Sequence, residues 1–360
     1  MLAQALLNLL EIGRHLLCRL DPRIYFQRLR ILGVTEGGSR KDSDKYAIIV
    51  TYAGPKLPNF TMSFIDAYNR ADYNLIVVAN GKFDTPTKKM ILKNSCLFIE
   101  RINVGRDFGG YKDAIAVVLE RFKPVNRLVI ANDSVYYFEN GIDPLIEKLD
   151  GPEDFVGVSE VFQHAYHASS FLLSFSHRIV ESHAFRDFWF RYRPISTRMW
   201  TIMSGEVLLT KCLTMAGYRP NILFRADDLQ TKLCALGDDE LNSAVALFPT
   251  NIREKLEPIM SRSSLELESK VGKLAIAAVE AIREVNQIHA AGFLFMKYFG
   301  LPLLKRDITY RELFSVPEAT QIIASIYGSI SPEIADDLAK RTPPSRLNVV
   351  RRMLYYHGYV

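Results

Sequence analysis

Short apolar runs alternate with amphipathic segments between about residues 45 and 132. The runs are rich in β-branched residues and predict strands over residues 46–52, 73–80, 96–103 and 126–132. Apolar residues at helical spacing predict the intervening helices, near residues 59–68, 85–93 and 110–122. Apolar strands separated by helices are typical of a mainly parallel sheet with helices on both faces. The pattern therefore predicts a doubly wound α/β fold.

The periodicity changes in the last third of the chain. Apolar residues recur there at three- and four-residue steps, at Leu267, Val271, Leu274, Ala278, Ile282, Val285 and Ile288. This spacing predicts a helical C-terminal region. We therefore divide the chain into an amphipathic N-terminal helical segment (1–40), an α/β domain (41–240) and a mainly helical C-terminal region (241–360).

Leucines dominate one face of the N-terminal segment, at Leu2, Leu6, Leu9, Leu10, Leu16, Leu17 and Leu20. Glu11, Arg14 and Arg19 interrupt the apolar run, so it does not predict a membrane-spanning helix. It also lacks the basic start and the cleavage site of a signal peptide. Two interpretations remain for this amphipathic helix: it lies in a membrane interface beside anionic headgroups, or it packs on its own domain.

Charge and cysteine content narrow the classes of partner and compartment. The formal net charge is +5, from 45 Lys and Arg against 40 Asp and Glu, and the basic residues are scattered. Nucleic acid is therefore not expected as a partner. The four cysteines lie far apart, without the spacing of a zinc site or the density of a disulfide scaffold. This distribution predicts a reducing, cytoplasmic setting.

Polar residues follow each predicted strand, where ligands of such sheets bind. These positions resemble the opening of family 2 glycosyltransferases, in which one strand ends in Thr-Tyr and the next in Asn-Gly with a nearby Asp. Here the segments are IIVTYAG and IVVANGKFDTPT, then INVGRDFGG in place of that family's Asn-x-Gly segment and VIANDSVYY in place of its Asp-x-Asp motif. The resemblance implies a GT-A-like, Rossmann-type domain that binds a nucleotide sugar.

A closer resemblance is to the rhamnan synthesis protein F family of polysaccharide-building transferases. Its motifs match in order over most of residues 45–310, as NVGRDFGGY, NDSVYY, DFVGVSE, HASSFLLSFS, AFRDFW and NQIHAAGFLFMKYFGLPLLKRD. The family implies transfer of a sugar, L-rhamnose from dTDP-rhamnose, onto a lipid-linked polysaccharide of the O-antigen type. It also implies a peripheral protein on the cytoplasmic face of the inner membrane.

The resemblance assigns donor-binding roles to the residues around the strand ends, namely Thr51, Tyr52, Asn80, Asp84, Asn103, Gly105, Arg106, Asp107, Asn132 and Ser134. The Tyr52 ring offers a stacking face, and Arg106 is suited to pairing with diphosphate oxygens. The residue types alone also allow core packing for Tyr52, a helix cap for Asp84 and a mutual salt bridge between Arg106 and Asp107.

Asp133 takes the place of the carboxylates that hold a divalent cation against the diphosphate. Mg²⁺ and Mn²⁺ prefer such oxygen ligands. The two outer positions of the motif are Asn132 and Ser134, so the usual carboxylate pair is absent and metal dependence is open. The alternative is that Asp133 only forms a turn after its strand.

Glu206 matches the catalytic carboxylate, which in an inverting transferase takes the proton from the acceptor hydroxyl. Its alternative is a residue at a helix N-terminus with Ser204 as the cap. Weaker acceptor or phosphate roles fall on His289, Lys305 and Arg306, with a solvated helix end as the other interpretation for the last two. For His164, His167 and His289 we favour hydrogen bonding over metal ligation.

Two other classes of function compete with a glycosyltransferase. Loss of the outer Asp-x-Asp carboxylates suggests a non-catalytic GT-A-like module that binds glycan or organises a synthesis complex. A nucleotidyltransferase is the third hypothesis and requires a glycine-rich phosphate loop near the first strand, where the chain has only Gly54-Pro55-Lys56. The Arg- and Tyr-rich C-terminal tail is a further candidate for membrane or acceptor contact.

Overall fold

The computed structural model describes residues 2–52, 54–261 and 267–343. These divide into two compact units. Unit 1 comprises the described residues up to Asp133 together with Ile142–Val158 and His167–Leu223. Unit 2 comprises Ser134–Gly141, Ser159–Tyr166 and the described residues from Phe224 onward. The Arg- and Tyr-rich tail beyond residue 343 and most of the short serine-rich segment near residue 261 lie outside the described residues.

The strands are β1 (Ile31–Glu36), β2 (Lys45–Thr51), β3 (Asn74–Ala79), β4 (Leu97–Arg101), β5 (Arg127–Asn132), β6 (Val135–Tyr137), β7 (Phe155–Gly157), β8 (Glu160–Val161), β9 (His167–Ala168), β10 (Leu172–Ser176), β11 (Asn221–Ile222) and β12 (Leu303–Lys305). The helices are α1 (Leu2–Arg19), α2 (Asn59–Arg70), α3 (Thr85–Asn94), α4 (Arg106–Arg121), α5 (Ile142–Leu149), α6 (His177–Val180), α7 (His183–Arg191), α8 (Arg198–Trp200), α9 (Leu208–Met215), α10 (Ala226–Cys234), α11 (Asp238–Val245), α12 (Thr250–Met260), α13 (Leu267–Glu284), α14 (Gln287–Phe299), α15 (Val316–Tyr327) and α16 (Pro332–Arg341).

Unit 1 is built on an eight-stranded sheet with the order β1-β4-β3-β2-β5-β10-β7-β11. Strands β4, β3, β2 and β5 are parallel, and β1 and β10 pair antiparallel at either side of them. Numbered along the chain, the parallel strands have the order 3-2-1-4, which is the beginning of the Rossmann order 3-2-1-4-5-6. All four strands that the sequence pattern predicted are present, and the predicted α/β fold class is confirmed. The edge strand β1 was not predicted.

Helices cover the sheet because its strands are apolar on both faces. One buried cluster contains Ile48, Val50 and Ile76 of the strands together with residues of α4 and α7. The alternate residues Ala47, Ile49 and Val77 are also fully buried, and α2 contacts both β3 and α5. Burial on both faces explains why the strands read as continuous apolar runs rather than alternating ones.

Unit 2 is mainly helical and confirms the predicted C-terminal character. Helix α13 contacts α10, α12 and α14, and its apolar stripe accounts for the periodicity seen in the sequence. The short strands β12 and β6 pair antiparallel, with Leu304 opposite Tyr136. In the described part of the chain, no helix has the length and apolar content to cross a membrane.

Helix α1 exposes much of its leucine face while it holds to unit 1 by its polar side. His15 lies 3.4 Å from the Thr197 hydroxyl, and its ring packs 5.2 Å from that of Trp200. By contrast, five of the predicted leucines are between 39% and 79% exposed, namely Leu9, Leu10, Leu16, Leu17 and Leu20. The two interpretations of this helix are therefore compatible.

Candidate functional site

Asp133 is fixed at the carboxyl ends of the two central strands. Its Oδ2 accepts a hydrogen bond of 2.9 Å from the Tyr52 backbone N–H, and its own N–H donates to the Val50 carbonyl at 3.2 Å. The Thr51 side chain is buried and donates to the Val78 carbonyl. These bonds join β2, β3 and β5 at one edge, where a parallel sheet presents its ligand-binding groups.

A tight turn leads from β4 into α4. Gly105 is left-handed, with φ of 81°, and a Cβ at this position would lie 2.3 Å from Cβ of Pro194, so only glycine fits. Arg106 also has a positive φ, 56°, and is exposed at the first position of α4. The turn explains why α4 begins four residues before the helix that the apolar spacing predicted.

Asp107, in the first turn of α4, links this turn to β5. Asn132 Nδ2 donates to its Oδ2 at 3.0 Å, and the Phe108 N–H donates to its Oδ1 at 3.1 Å. Asn132 is 2% exposed, so its amide serves mainly to hold the Asp107 carboxylate. The substitution of Asn for Asp at the first motif position therefore has a local structural role.

A buried cluster of two arginines and one aspartate lies beneath this turn. Arg30 and Arg101 both hydrogen-bond to the Asp113 carboxylate, and the three side chains are at most 1% exposed. Arg101 also donates to the Val104 carbonyl at 2.7 Å and to the Asn80 amide oxygen. Burial lowers the pKa of Arg101, although the Asp113 charge opposes this, and arginine remains protonated at neutral pH. Two cations against one anion leave a positive charge under the turn.

Glu206 lies on a π-helical segment, Thr201–Val207, between α8 and α9. Its Oε1 accepts hydrogen bonds from Ser170, at 2.6 Å from Oγ and at 3.3 Å from the backbone N–H. His167 Nε2 lies 3.9 Å from the other oxygen. Because the chain is helical throughout 198–215, the interpretation of Ser204 as an N-cap is wrong. Such π-segments recur at functional sites because they re-aim side chains.

Tyr192 packs beside the start of α4, with its ring 5.5 Å from that of Phe108. Burial raises the pKa of Tyr192, and the charges of Asp107 and Glu206 act in the same direction, whereas Arg106 lowers it. The π-segment packs on the same turn, because a Cβ at Gly205 would lie 3.0 Å from the Phe108 ring. We call Glu206, Asp107 and Arg106, with Asp133, Tyr52 and Asn80, the rim site.

Three further residues of unit 1 were predicted to bind the donor, namely Asp84, Asn103 and Tyr52, and each has different surroundings. Asp84 caps α3 by accepting from the Thr87 N–H at 2.8 Å, a bond that lowers its pKa. Asn103 is exposed in the turn before Gly105. Tyr52 is 41% exposed as a residue, and burial of its hydroxyl raises the phenol pKa, so a stacking role stays a prediction.

The other predicted positions, Ser134, His289, Lys305 and Arg306, lie in unit 2. Lys305 donates to the Ser134 hydroxyl at 3.1 Å. His289 Nε2 lies 2.6 Å from Asp307, and burial lowers the histidine pKa although Asp307 opposes this. Arg306 forms a two-bond ion pair with Asp337 and is 9% exposed, so its guanidinium has a structural partner.

A divalent cation would need free acidic oxygens at the rim site. Asp133 Oδ2 and both oxygens of Asp107 accept hydrogen bonds from the protein. Within the described ranges, no three His, Cys, Asp or Glu side chains come together as a metal site. A divalent cation held by Asp133 together with the diphosphate oxygens of a donor stays a prediction.

The sequence analysis missed Ser170, Arg101 and Asp113 as parts of this region. Ser170 belongs to the HASSF segment, in which only His167 was expected to have a role, as a hydrogen-bonding residue. Arg101 and Asp113 flank the glycine turn on two different elements, and neither position stands out from the other charged residues of β4 and α4. The two side chains meet because α4 packs back onto the sheet after the turn.

A Rossmann-type sheet with a polar, partly cationic rim at its carboxyl edge is the arrangement in which α/β proteins bind ligands, anionic groups among them. The family model of rhamnan synthesis protein F matches residues 75–288, more than half of the chain. The chain belongs to the rhamnan synthesis protein F family. It is also 26% identical over 214 residues to the uncharacterized protein y4gN of Sinorhizobium fredii, covering 58% of this chain and 56% of that protein. The chain thus spans about half the length of this curated relative.

Solved structures with partial similarity include one described as a nucleotide-diphospho-sugar transferase of Desulfovibrio desulfuricans, at 13% identity and a TM-score of 0.34, over 68% of this chain and all of that one. A glycosyltransferase involved in glycosylation of the major capsid of PBCV-1 aligns at 12% identity and a TM-score of 0.29, over 49% of this chain and 80% of that one. These TM-scores are low, so the fold class depends on the strand order and not on the alignments.

Proposed function

We propose that the protein transfers a sugar from a nucleotide-sugar donor to a hydroxyl of a lipid-linked polysaccharide. Resemblance to the family favours L-rhamnose from dTDP-rhamnose and an O-antigen-type acceptor at the cytoplasmic face of the inner membrane. The observation that supports the proposal is the Glu206 carboxylate, which Ser170 anchors at 2.6 Å on a segment packed against the first turn of α4. In this proposal Glu206 is the general base, and the turn at Gly105 holds the diphosphate.

The proposed step is a single displacement. The acceptor hydroxyl gives its proton to Glu206 Oε2, the oxygen that Ser170 does not hold, and the hydroxyl oxygen forms a bond to the anomeric carbon of the sugar. The bond between that carbon and the diphosphate oxygen breaks, and the nucleoside diphosphate leaves with the electron pair. In this scheme Asp133 and Asn80 position the donor, and the Tyr52 ring stacks on its nucleobase.

Stabilisation of the leaving diphosphate falls to positive groups around the Gly105 turn. Arg106 is exposed there, and the buried Arg30, Arg101 and Asp113 cluster leaves a net positive charge below it. A charge fixed in a low-dielectric interior acts strongly on a nearby anion and costs no reorganisation during reaction. Backbone N–H groups at the start of α4 also favour an anion.

The test is a panel of nucleotide sugars added to the full chain, with thermal unfolding as the first readout. A ligand at a hundred times its Kd stabilises the native state by about 2.7 kcal/mol, enough to be seen as a higher Tm. We expect one nucleotide class to shift the Tm and to support transfer of labelled sugar to membrane-derived glycan. No shift with any nucleotide sugar would contradict the proposal.

A second candidate is a GT-A-like module that binds glycan without catalysis. The observation that favours it is at Asn132, the position where the motif would have its first carboxylate. The chain has an amide there, and this amide donates a hydrogen bond to Asp107. In that case a donor or glycan binds with no turnover by the intact protein. Product analysis in the same panel separates the two functions.

A further inference from the structure

A cavity of about 560 Å³ opens on the surface of unit 1 beside α7 and α9. Its walls are mainly apolar and include Ala184, Phe188, Tyr192, Trp200, Leu208 and Met215. The volume lies in the range of small-molecule sites, which are concave, mostly apolar and carry a few polar groups. Met215 is 79% exposed and Leu208 42% exposed, so apolar groups extend from the wall into solvent.

The charged residues at this cavity are two arginines and one aspartate. Arg191, Arg193 and Asp187 all line it, which leaves one net positive charge. Arg191 and Asp187 lie 3.8 Å apart and are 78% and 61% exposed, so this pair is open to solvent and weak. The same two arginines line a second cavity of about 690 Å³, between α4, α7 and residues 24–30. Both arginines are exposed, and the Arg193 guanidinium lies 5.0 Å from the centre of the Tyr25 ring.

The cavity opens beside the π-segment that carries Glu206. Ser204 and Leu208, two residues before and after Glu206, line the cavity, as does Tyr192. The Glu206 side chain is hydrogen-bonded to Ser170. A ligand held in the cavity by its apolar part therefore lies next to the segment of backbone that carries the proposed base.

We propose that this cavity binds the lipid-phosphate end of the acceptor, with the hydrocarbon chain against Trp200, Leu208 and Met215 and the phosphate at Arg191 and Arg193. The inference rests on the proposed function, because it names the part of the acceptor that the transferase holds. The cavity combines an apolar wall with a net positive charge from its arginines. This combination is complementary to a phosphorylated lipid and not to a neutral sugar. Guanidinium groups form paired, charge-assisted hydrogen bonds with phosphate oxygens.

Farnesyl phosphate, farnesol and inorganic phosphate are the probes, added to the full chain below the concentration at which the lipids form micelles. Trp189 and Trp200 are the two tryptophans of the sequence, and Trp200 lines the cavity, so intrinsic fluorescence reports binding. We expect saturable binding of farnesyl phosphate, binding of farnesol weaker by about tenfold, and no competition by phosphate alone. Absence of saturable farnesyl phosphate binding overturns the inference.

Variants localise the site. Met215→Glu places a charge at the apolar wall, and Arg191→Ala with Arg193→Ala removes the phosphate partners; each should weaken farnesyl phosphate binding by about tenfold or more. All three side chains are exposed, so the fold should persist, which thermal unfolding verifies. Ile276→Glu, an exposed apolar position on α13 in unit 2, and Arg70→Ala, an exposed arginine of α2, are the matched controls. Equal losses in variants and controls would overturn the assignment.

Donor binding, measured by calorimetry with nucleotide sugars, separates the two failures. Donor binding and transfer to a short lipid-free glycan, with no preference for a lipid-linked acceptor, overturns the lipid site and leaves the proposed function. Saturable, Met215-sensitive binding of farnesyl phosphate without binding of any nucleotide sugar overturns the transferase and leaves the lipid-phosphate site.

Discussion

Ser170 Oγ donates a hydrogen bond of 2.6 Å to Glu206 Oε1, and the Ser170 backbone N–H points to the same oxygen at 3.3 Å. Residues 36 positions apart in the chain thus fix one carboxylate oxygen and leave the second near His167. The bond ties the segment before β10 to the π-segment, and it aims the proposed base.

Glu206→Gln should reduce turnover by about 10² to 10⁴ while donor binding stays nearly unchanged. The amide keeps the shape and the bonds to Ser170 but cannot take a proton. Transfer assays and donor calorimetry on the same preparation give both numbers. Glu181→Gln, at an exposed glutamate, is the control, and wild-type turnover in Glu206→Gln would remove this residue from the mechanism.

Ser170→Ala should lower kcat by about tenfold with little change in the donor KM, because it frees the base from its anchor without touching the donor. Ser170→Thr keeps the hydroxyl and should restore most of kcat. A purely structural role would instead lower the Tm of Ser170→Ala, with no rescue of kcat by threonine. Steady-state kinetics on both variants, with thermal unfolding alongside, decides between these outcomes.

Asp133→Asn should weaken donor binding or turnover, since it replaces the charge that the Tyr52 N–H fixes at the strand ends. Because Asn132 and Ser134 flank it, chelation of Mg²⁺ or Mn²⁺ should change donor affinity only partly, by less than about tenfold. Calorimetry with and without chelator measures both effects. Full activity of Asp133→Asn would make this aspartate a turn residue.

Protonation of Asp337 should make unit 2 less stable at acidic pH. Burial raises its pKa, but hydrogen bonds from Arg306 and Arg341 outweigh this and hold the pKa at about 2, below the usual 3.8. A lowered carboxylate pKa stabilises the fold above the unfolded value, and the contribution, about 2 kcal/mol, is lost as pH falls from about 4 towards 2. Asp337→Asn should therefore lower the Tm at pH 7 and flatten its dependence on pH below 5. A curve parallel to wild type would contradict this.

Deletion of residues 1–20 should release the protein from anionic membranes without loss of nucleotide-sugar binding. Interfacial binding draws on buried apolar area and on basic residues, each worth about 1 kcal/mol near an anionic surface. The exposed leucines of α1 supply the apolar part. Flotation with anionic liposomes at low and high salt, for the full and truncated chains, measures this. Equal flotation would place the membrane contact elsewhere on the chain.

The sequence alone determined the parallel strands, the main helices and the polar rim, because burial on both faces and helical periodicity are local patterns. It also placed Asp133 and Asp107 at one edge, since parallel strands end on the same side. The apolar periodicity also predicted helix α13, because its apolar stripe is long enough to require a packing partner.

Only the tertiary structure decided which side chains meet. The sequence allowed Glu206 to be a residue near a helix N-terminus with Ser204 as the cap. In the structure the helix continues through this point as a π-segment, and the Glu206 carboxylate is hydrogen-bonded to Ser170. Arg30, Arg101 and Asp113 lie on different elements of the chain and share one buried charge cluster only because α4 folds back onto the sheet after the Gly105 turn. Distances set by chain crossings carry no local periodicity, so no pattern of neighbouring residues could reveal them.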